Sequence, residues 1–343
     1  MKRERLEDDS EPQGGGRYFS GPSAVETFST GCKLLDMVTG GYPRGRMVNI
    51  VGDASAGKSL LAIEGFANFA QEFPKADLHY AEAESAFDKP YAESLGLPLK
   101  RVRFVAEERV LDTVEDFFDD VDAVCKKKRQ AFYVLDSLDS LTTRADKAHL
   151  MKVRKAHDAG EDSKGSYGVD KAKIMSQRLR DLVRPMEKAG VTLLIISQVR
   201  DKIGFTMGEK HTRAGGRALE FYSSWVLWLA KLQKLKQTRK GVERPVGIMI
   251  KAQCKKNKIT IPYRECQFPI RFTYGVDDMQ AAVDWLRSVK RADLAEKATR
   301  GIELAKMDDS QHERAKERLS KYVEREWREI EKRFMPKRKK YSN

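Results

Sequence analysis

The clearest chemical signal in the sequence is a glycine-rich turn between an apolar run and a helical pattern. Residues 52–59 read GDASAGKS, which fits the pattern G-x-x-x-x-G-K-[ST]. The glycines let backbone N–H groups turn toward phosphates, and the helix that follows adds partial positive charge at its first turn. Lys58 would reach the outer phosphates, and the Ser59 hydroxyl would ligate Mg²⁺. The predicted phosphate site comprises Gly52, Asp53, Ala54, Ser55, Ala56, Gly57, Lys58 and Ser59.

Acidic and polar residues end three other apolar runs. Asp136 closes the run FYVLD, and a carboxylate at the end of a neighbouring strand is what a phosphate loop needs to orient its metal. Glu82 and Glu84 close another run, and either could activate an attacking water. Strand alternation would point both glutamates the same way, so periodicity does not choose between them. The Ser197–Gln198 pair closes the third run and is a candidate sensor of the γ-phosphate.

Strands that end near one another, with helices packed between them, would bring these residues together. Short apolar, β-branched runs lie at residues 47–51, around 80, up to 136 and up to 198, and helical patterns separate them. This alternation predicts an α/β fold with a mostly parallel central sheet covered on both faces. A short helix is expected to end at Gly40 and Gly41. Further strands are expected after Gly216, in the segments SSWVLWLAKL, VGIMIKAQ and ITIPYREC.

The composition indicates a globular protein with excess positive charge. Of the 343 residues, 41% are hydrophobic, which is enough for a substantial core. There are 65 Lys and Arg against 51 Asp and Glu, a net charge of +14, and so basic a protein attracts polyanions such as nucleic acid. No apolar run approaches the roughly 18 residues of a membrane span, and the first residues lack the apolar stretch of a secretory signal. The four cysteines show no metal spacing, so we expect reduced thiols in a cytoplasmic protein without membrane association.

Composition and hydrophobic pattern divide the chain into three parts. Residues 1–28 read as a solvated tail followed by an arm with scattered aromatics, Tyr18, Phe19 and Phe28, that docks on another surface. Residues 29–280 carry the α/β pattern of a core. Residues 281–343 are helical and highly charged, with a basic end that reads KRKK. This last region is expected to be either a solvated face or a surface that captures duplex DNA.

In order and spacing, a series of segments resembles the RecA recombinases, and among these the phage-encoded RecA-like proteins. The segments are STGCKLLDMVTGG, GDASAGKS, EAESAFDKPY, VLDSL, MSQRLR, ISQVRDKIG, AGGRALEFYSS and KKNKITIP. They extend from about Ser29 to Tyr274, and the run from Val199 to Arg217 matches the second DNA-binding loop of RecA without a gap. That match is more specific than the phosphate loop, which many ATPases share. A phage origin would place the protein in the host cytoplasm.

The resemblance implies roles for residues around the nucleotide, which it identifies as ATP. It places Glu84 at the water-activating glutamate of RecA, which breaks the tie with Glu82. Tyr91 would stack on adenine, and Asp88 would contact the amino edge of the base. Gln198 would couple the γ-phosphate to the DNA loop that follows it.

Two lysines resemble those that reach ATP on the neighbouring subunit. Lys256 and Lys258 lie in the segment KKNK before the strand-like run ITIP, and strand alternation would put both on one side. They would then act in trans, as an arginine finger does. Residues 1–28 match the family poorly, and their role as a subunit-docking arm is inferred from their position and from aromatics such as Phe19 and Phe28.

The resemblance also implies DNA-binding loops near residues 144–173 and 199–217. The first loop is longer than usual, so its contacts are not assigned, apart from a basic position after it. In the second loop, cations would bind backbone phosphate, an apolar residue would wedge between bases, and glycines would let backbone amides approach phosphate. Two positions depart from the family pattern, since Arg217 replaces the usual asparagine and Arg213 adds another cation. The predicted DNA-binding residues are Lys173, Arg200, Lys202, Ile203, Arg213, Gly215, Gly216 and Arg217.

The resulting hypothesis is an ATP- and Mg²⁺-dependent recombinase. It would polymerise on single-stranded DNA into a helical filament and exchange strands with homologous double-stranded DNA, with single-strand-binding and loader proteins as further candidate partners. One alternative is a hexameric helicase of the DnaB class, which shares the core fold but normally has an arginine finger and an extra N-terminal domain. The other is a regulatory RecA-like paralogue that does not exchange strands.

Overall fold

The computed structural model describes residues 25–84, 87–158, 169–201, 211–213 and 216–337. In chain order the strands are β1 (Thr27–Phe28), β2 (Tyr42–Pro43), β3 (Met47–Gly52), β4 (Asp77–Glu82), β5 (Val102–Phe104), β6 (Ala131–Asp136), β7 (Val191–Asp201), β8 (His211–Arg213), β9 (Trp225–Arg239), β10 (Val242–Asn257), β11 (Glu265–Arg271) and β12 (Gly275–Val276). The helices are α1 (Lys33–Thr39), α2 (Lys58–Glu72), α3 (Lys89–Ser94), α4 (Val105–Glu108), α5 (Val114–Lys126), α6 (Arg144–Asp158), α7 (Val169–Ala189), α8 (Gly216–Tyr222), α9 (Asp278–Ser288), α10 (Ala292–Thr299) and α11 (Asp309–Phe334).

Ten of the described strands form one central sheet. Its order is β12-β11-β10-β9-β3-β7-β6-β4-β5, and β8 pairs with β7 off this path. The six strands from β9 to β5 are parallel to one another, and β10, β11 and β12 extend the sheet as an antiparallel meander. The prediction of an α/β fold with a mostly parallel sheet is therefore confirmed.

Helices cover both faces of the sheet because neighbouring residues of a strand point to opposite sides. In β6, Phe132 and Val134 join the core shared with α1, α2 and the C-terminal helices. Tyr133 and Leu135 join the core shared with α5, α7 and α8. All six residues of β6 are buried. A strand buried on both faces is what the continuous apolar runs of the sequence predict.

The antiparallel end of the sheet differs from the sequence prediction in one place. The run ITIP was predicted to form a strand, but β10 ends at Asn257 and β11 begins only at Glu265. The side-chain oxygen of Asn257 accepts hydrogen bonds from the backbone N–H groups of Ile259 and Thr260, at 2.7 and 3.0 Å. An asparagine that bonds the backbone two residues ahead favours a turn over a strand, which is why this prediction was wrong.

Strands β9 and β10 are much longer than the apolar runs that predicted them. They pair from residue 225 to residue 257, whereas β9 pairs with β3 only as far as Leu229. Beyond that point the two strands form a ribbon that we call the basic ribbon. Its exposed cations are Lys231, Lys234, Lys236, Arg239, Lys240 and Arg244.

The N-terminal part of the described chain belongs to the core. Helix α1 ends at Thr39, and Gly40 follows it in the left-handed region with φ 82°, as expected from the sequence. Phe28 is 4% exposed, and its ring lies 4.7 Å from that of Phe69 and 5.4 Å from that of Phe132. The expectation that Phe28 docks on another surface was therefore wrong, because its own core covers it. Tyr18 and Phe19 lie outside the described residues.

The C-terminal helices pack on the core by one face. Helix α11 buries Ala315, Leu319 and Val323, which are spaced four residues apart, in the hydrophobic cluster that includes α1 and α2. Lys33 of α1 pairs with Glu324 of α11 at 2.6 Å. Within the described residues, no helix is both long and apolar enough to cross a membrane. All four cysteines are buried and unpaired, as the sequence predicted.

Candidate functional site

The phosphate loop lies between the end of β3 at Gly52 and the start of α2 at Lys58. Gly57, at the N-cap of α2, has φ 82°, which favours glycine. A Cβ at that position would also lie 2.4 Å from Cδ1 of Ile270. Residues 53–55 are exposed. The first N–H groups of α2 therefore lie beside an open loop, the arrangement that binds phosphate.

The Lys58 ammonium is held inside this loop. The residue is 8% exposed, and its Nζ donates to the Asp53 carbonyl at 2.7 Å. Burial lowers the pKa of Lys58, while the nearby carboxylates of Asp136 and Glu84 act against that shift. The cation therefore lies among acids, with one hydrogen bond that a phosphate oxygen could replace.

Ser59 and Asp136 form a pair suited to a hard cation. The Ser59 hydroxyl is hydrogen-bonded to the Asp136 carboxylate, and the Tyr80 hydroxyl donates to Oδ2 of Asp136 at 2.9 Å. Burial raises the pKa of Asp136, and these two hydrogen bonds oppose the rise. Hydroxyl and carboxylate oxygens are ligands that Mg²⁺ prefers, so the predicted pair fits this ion.

The two candidate glutamates have different environments. Strand β4 ends at Glu82, so strand alternation does not extend to Glu84 and does not determine where its side chain points. The Glu82 carboxylate accepts from the backbone N–H of Glu84 at 3.0 Å. Glu84 Oε1 accepts from the hydroxyls of Ser137 and Ser140 and from Nε2 of Gln198, the last at 3.1 Å. Glu82 thus supports the local backbone, whereas Glu84 contacts the candidate sensor.

Gln198 joins this site to the second predicted DNA loop. Its backbone N–H donates to Oδ2 of Asp139 at 2.7 Å. Strand β7 continues past Gln198 to Asp201 and pairs with β8, so that the backbones of Arg200 and Arg213 lie on neighbouring strands. Helix α8 then begins at Gly216.

The remaining predicted DNA-binding residues are only partly described. Lys173, near the start of α7, and Arg217, in the first turn of α8, are exposed. Gly216 has φ 54°. Lys202, Ile203 and Gly215 lie outside the described residues.

The residues predicted to bind adenine lie together at helix α3. Asp88 is the N-cap, and its Oδ1 accepts from the backbone N–H of Tyr91 at 3.0 Å. Tyr91 is partly buried against the core, and burial raises the pKa of its hydroxyl. Nearby, Oε1 of Glu64 accepts from the backbone N–H of Val276 at 2.7 Å, and a Cβ at Gly275 would collide with that oxygen. Glu64 thus holds the turn before β12 against α2.

Comparison with known proteins identifies the family. The RecA N-terminal domain family matches residues 19–277. The chain belongs to the RecA family.

Two relatives and one solved structure illustrate the similarity. The chain is 35% identical to Protein RecA of Parasynechococcus marenigrum (strain WH8102) over 261 residues, 76% of this chain and 64% of that protein. It is 34% identical to Protein RecA of Nostoc sp. (strain PCC 7120), over 76% of this chain and 67% of that protein. The chain thus spans less than two thirds of the first relative's length. The crystal structure of the RadB recombinase matches with TM-score 0.49 and 17% identity, covering 73% of this chain and 98% of that one.

Within this RecA-family chain, Lys256 and Lys258 meet at one carbonyl. Lys256 is in β10 and Lys258 follows its end, yet their Nζ atoms donate to the Phe221 carbonyl at 2.7 and 2.9 Å. Lys256 also donates to the Glu220 carbonyl. Cations at the last carbonyls of α8 suit the negative end of the helix. The two ammonium groups do share one side, although the predicted ITIP strand is absent.

Sequence reasoning missed the segment that follows Asp136. Ser137, Asp139 and Ser140 contact Glu84 or Gln198. The available signal was the sequence SLDS, which puts three polar residues at the carboxyl end of a predicted parallel strand, where ligand sites of such sheets form.

Proposed function

We propose that this RecA-family chain is a DNA-dependent ATPase that assembles on single-stranded DNA and exchanges strands with homologous duplex. The observation that carries the proposal is the 3.1 Å hydrogen bond from Gln198 to Glu84. It supports a direct connection between the candidate water-activating carboxylate and β7, the strand that runs on into the second predicted DNA loop. An ATPase whose rate responds to DNA needs such a connection.

The side chains support ATP hydrolysis by in-line attack of water. Lys58 would exchange the Asp53 carbonyl for the outer phosphates of ATP. Ser59 and Asp136 would hold Mg²⁺, which when bound neutralises phosphate charge. Glu84 would accept the water proton as the water oxygen bonds to the γ-phosphorus and the bond to the bridging oxygen breaks.

Before this step Glu84 must exchange some of its hydrogen bonds. Its Oε1 accepts from three side chains in the structure, those of Ser137, Ser140 and Gln198. The Gln198 amide can donate to a phosphate oxygen instead of the carboxylate. Binding of the γ-phosphate would therefore draw Gln198 away and release Glu84 toward water.

The proposal includes DNA and a second copy of the chain as partners. The net charge of +14 and the exposed Lys173 and Arg217 support binding to a phosphate backbone. Lys256 and Lys258, which share one acceptor, would provide two cations to the ATP of the neighbouring copy. Nucleotide between subunits would couple ATP binding to growth of a helical filament. Residues 1–28, 29–280 and 281–343 would serve as arm, ATPase core and basic C-terminal region, although Phe28 itself belongs to the core.

A strand-exchange assay tests the proposal. The protein, single-stranded DNA and ATP should form helical filaments by electron microscopy and convert a homologous duplex, but not a heterologous one, into exchanged product. Ring-shaped oligomers that unwind duplex without homology would instead identify a helicase. Binding of ATP and DNA with neither activity would identify a regulatory paralogue.

A further inference from the structure

The segment from Ser137 to Leu141, between β6 and α6, contacts both candidate catalytic residues. Its serines donate to Glu84, and its aspartate accepts from the Gln198 backbone at 2.7 Å. Residues Leu138–Ser140 form a short 3-10 helix, and Leu138 and Leu141 are buried in the core under α5 and α7. Buried side chains at Leu138 and Leu141 join the backbone of this short segment to the core, so we expect a change in its polar bonds to be passed along that backbone.

Lys171 binds the other side of the same segment. Its Nζ donates to the Leu138 carbonyl at 2.9 Å and to the Leu141 carbonyl at 2.5 Å. Lys171 lies in the first turn of α7, which begins at Val169 directly after residues 159–168, within the first predicted DNA loop. Exposed Lys173, a candidate DNA contact, is two residues further on.

We propose that Lys171 is a positioning residue that transmits the state of the nucleotide site to the first DNA-binding loop. The inference rests on the proposed function and adds a second route to the one through Gln198 and the second loop. ATP that engages Glu84 and Gln198 changes their bonds to Ser137, Ser140 and Asp139. The carbonyls of Leu138 and Leu141 then shift, and the ammonium that binds both carries the start of α7 with them.

The experiment compares three lysine variants of the full chain. Lys171→Met keeps the aliphatic stem and removes the donors, Lys171→Arg keeps a cation, and Lys188→Met changes an exposed lysine at the other end of α7. The dissociation constant for a fluorescent oligothymidylate is measured with ADP and with a non-hydrolysable ATP analogue. The coupling between nucleotide and DNA is the dissociation constant measured with ADP divided by the one measured with the ATP analogue. ATP affinity without DNA is measured for each variant.

We expect Lys171→Met to lower this ratio by about fivefold or more, a typical size for allosteric coupling, at unchanged ATP affinity. Lys171→Arg should restore most of the ratio, and Lys188→Met should match wild type. A purely structural role would change stability and ATP affinity, but it would not change this ratio specifically. Wild-type coupling in folded Lys171→Met would overturn the inference and leave the proposed function intact.

Two further outcomes are decisive. If the wild-type ratio is one, nucleotide and DNA are not coupled, and both the proposed function and the inference fail. If Lys171→Met does not fold, Ser140→Ala tests the segment from its other side, because it removes only the 3.3 Å bond to Glu84. A reduced ratio in that variant supports the relay, and a wild-type ratio overturns it.

Discussion

Gln198 reaches Glu84 across the width of a strand. The Nε2 of Gln198 in β7 donates to Oε1 of Glu84 just past β4, while β6 lies between these two strands in the sheet. The contact forms above the carboxyl ends of parallel strands, next to the phosphate loop. It places the candidate sensor and the candidate general base in one hydrogen-bonded unit, on which the prediction for Glu84 depends.

Lys58→Ala should abolish tight ATP binding or turnover. The substitution removes the buried cation beside the phosphate loop, and we expect hydrolysis to fall by about 10²-fold or more. Nucleotide affinity and DNA-stimulated hydrolysis are the measurements. Lys75→Ala, an exposed lysine ahead of β4, is the matched control and should behave as wild type. Near-normal values for Lys58→Ala would contradict the assignment.

Glu84→Gln and Glu82→Gln should differ strongly. The first removes the proposed base, so ATP should still bind while hydrolysis falls by about 10²-fold. The second keeps an oxygen that can accept from the Glu84 N–H, so its effect should be mild. Single-turnover hydrolysis with and without DNA distinguishes them. Exchanged phenotypes would make Glu82 the base.

Lys173→Ala combined with Arg217→Ala should weaken binding to all single strands alike. Both side chains are exposed, and interactions with backbone phosphate carry no sequence information. The salt dependence of log K should become shallower by about 0.7 for each phosphate that the variant no longer neutralises. Titrations of oligonucleotides of different sequence at several salt concentrations test this. Weakening confined to one sequence would show that these residues bind bases.

Lys256→Ala with Lys258→Ala should leave ATP binding by the isolated subunit nearly intact. Filament formation and hydrolysis should fail, because the two cations would act on the neighbouring copy. Mixing this variant with Lys58→Ala subunits should recover some hydrolysis, since a junction can then combine one intact loop with one intact lysine pair. Thermal unfolding is the control, because both lysines also contact the end of α8. No recovery at any ratio, with lost ATP binding, would place the lysines in cis.

Glu64 should make the protein less stable as pH rises from about 4.5 to about 7. Burial raises the pKa of this carboxyl from 4.5 to about 7, with Asp278 adding to the rise and the Val276 hydrogen bond and Lys316 opposing it. Between these values the folded chain holds a proton that the unfolded chain has lost, so unfolding is favoured as pH increases. The contribution is about 3 kcal/mol at most.

Denaturant titrations of wild type and Glu64→Gln across pH 5 to 8 test this. The glutamine can still accept from the Val276 N–H but does not titrate. From pH 5 to about 7 the free energy of unfolding of Glu64→Gln should rise relative to that of wild type, and above about pH 7 the difference should level off. A constant difference between the two proteins would show that Glu64 is ionised throughout.

The sequence predicts the features that depend on local pattern. GDASAGKS forms its loop between one strand and one helix, and the buried run ending at Asp136 forms β6. The contacts it did not predict join elements that are distant in the chain. Lys256 meets the Phe221 carbonyl 35 residues away, and Lys171 meets that of Leu138 33 residues away. Residue types and spacing do not predict such contacts before the order of the strands in the sheet is known.

Aromatic and apolar residues were also ambiguous in isolation. From its residue type alone, Phe28 could dock on another subunit or pack in the core of its own chain. The positions of Phe69 and Phe132 show that it packs in its own core. Likewise ITIP has the composition of a strand, but the Asn257 side chain accepts hydrogen bonds from the first two backbone N–H groups of this run and forms a turn.

The basic ribbon has a consequence for how copies of the chain meet. Beyond Leu229, among the described residues, the backbone of β9 pairs only with β10, which leaves strand edges that could template pairing with another chain. The cations of the ribbon repel an identical ribbon, over a range of about 8 Å at physiological salt. Charge repulsion thus protects these edges from aggregation while no polyanion is bound to the protein. A polyanion that neutralises the ribbon would remove that protection, so the same cations that would attract a polyanion also keep unbound copies apart.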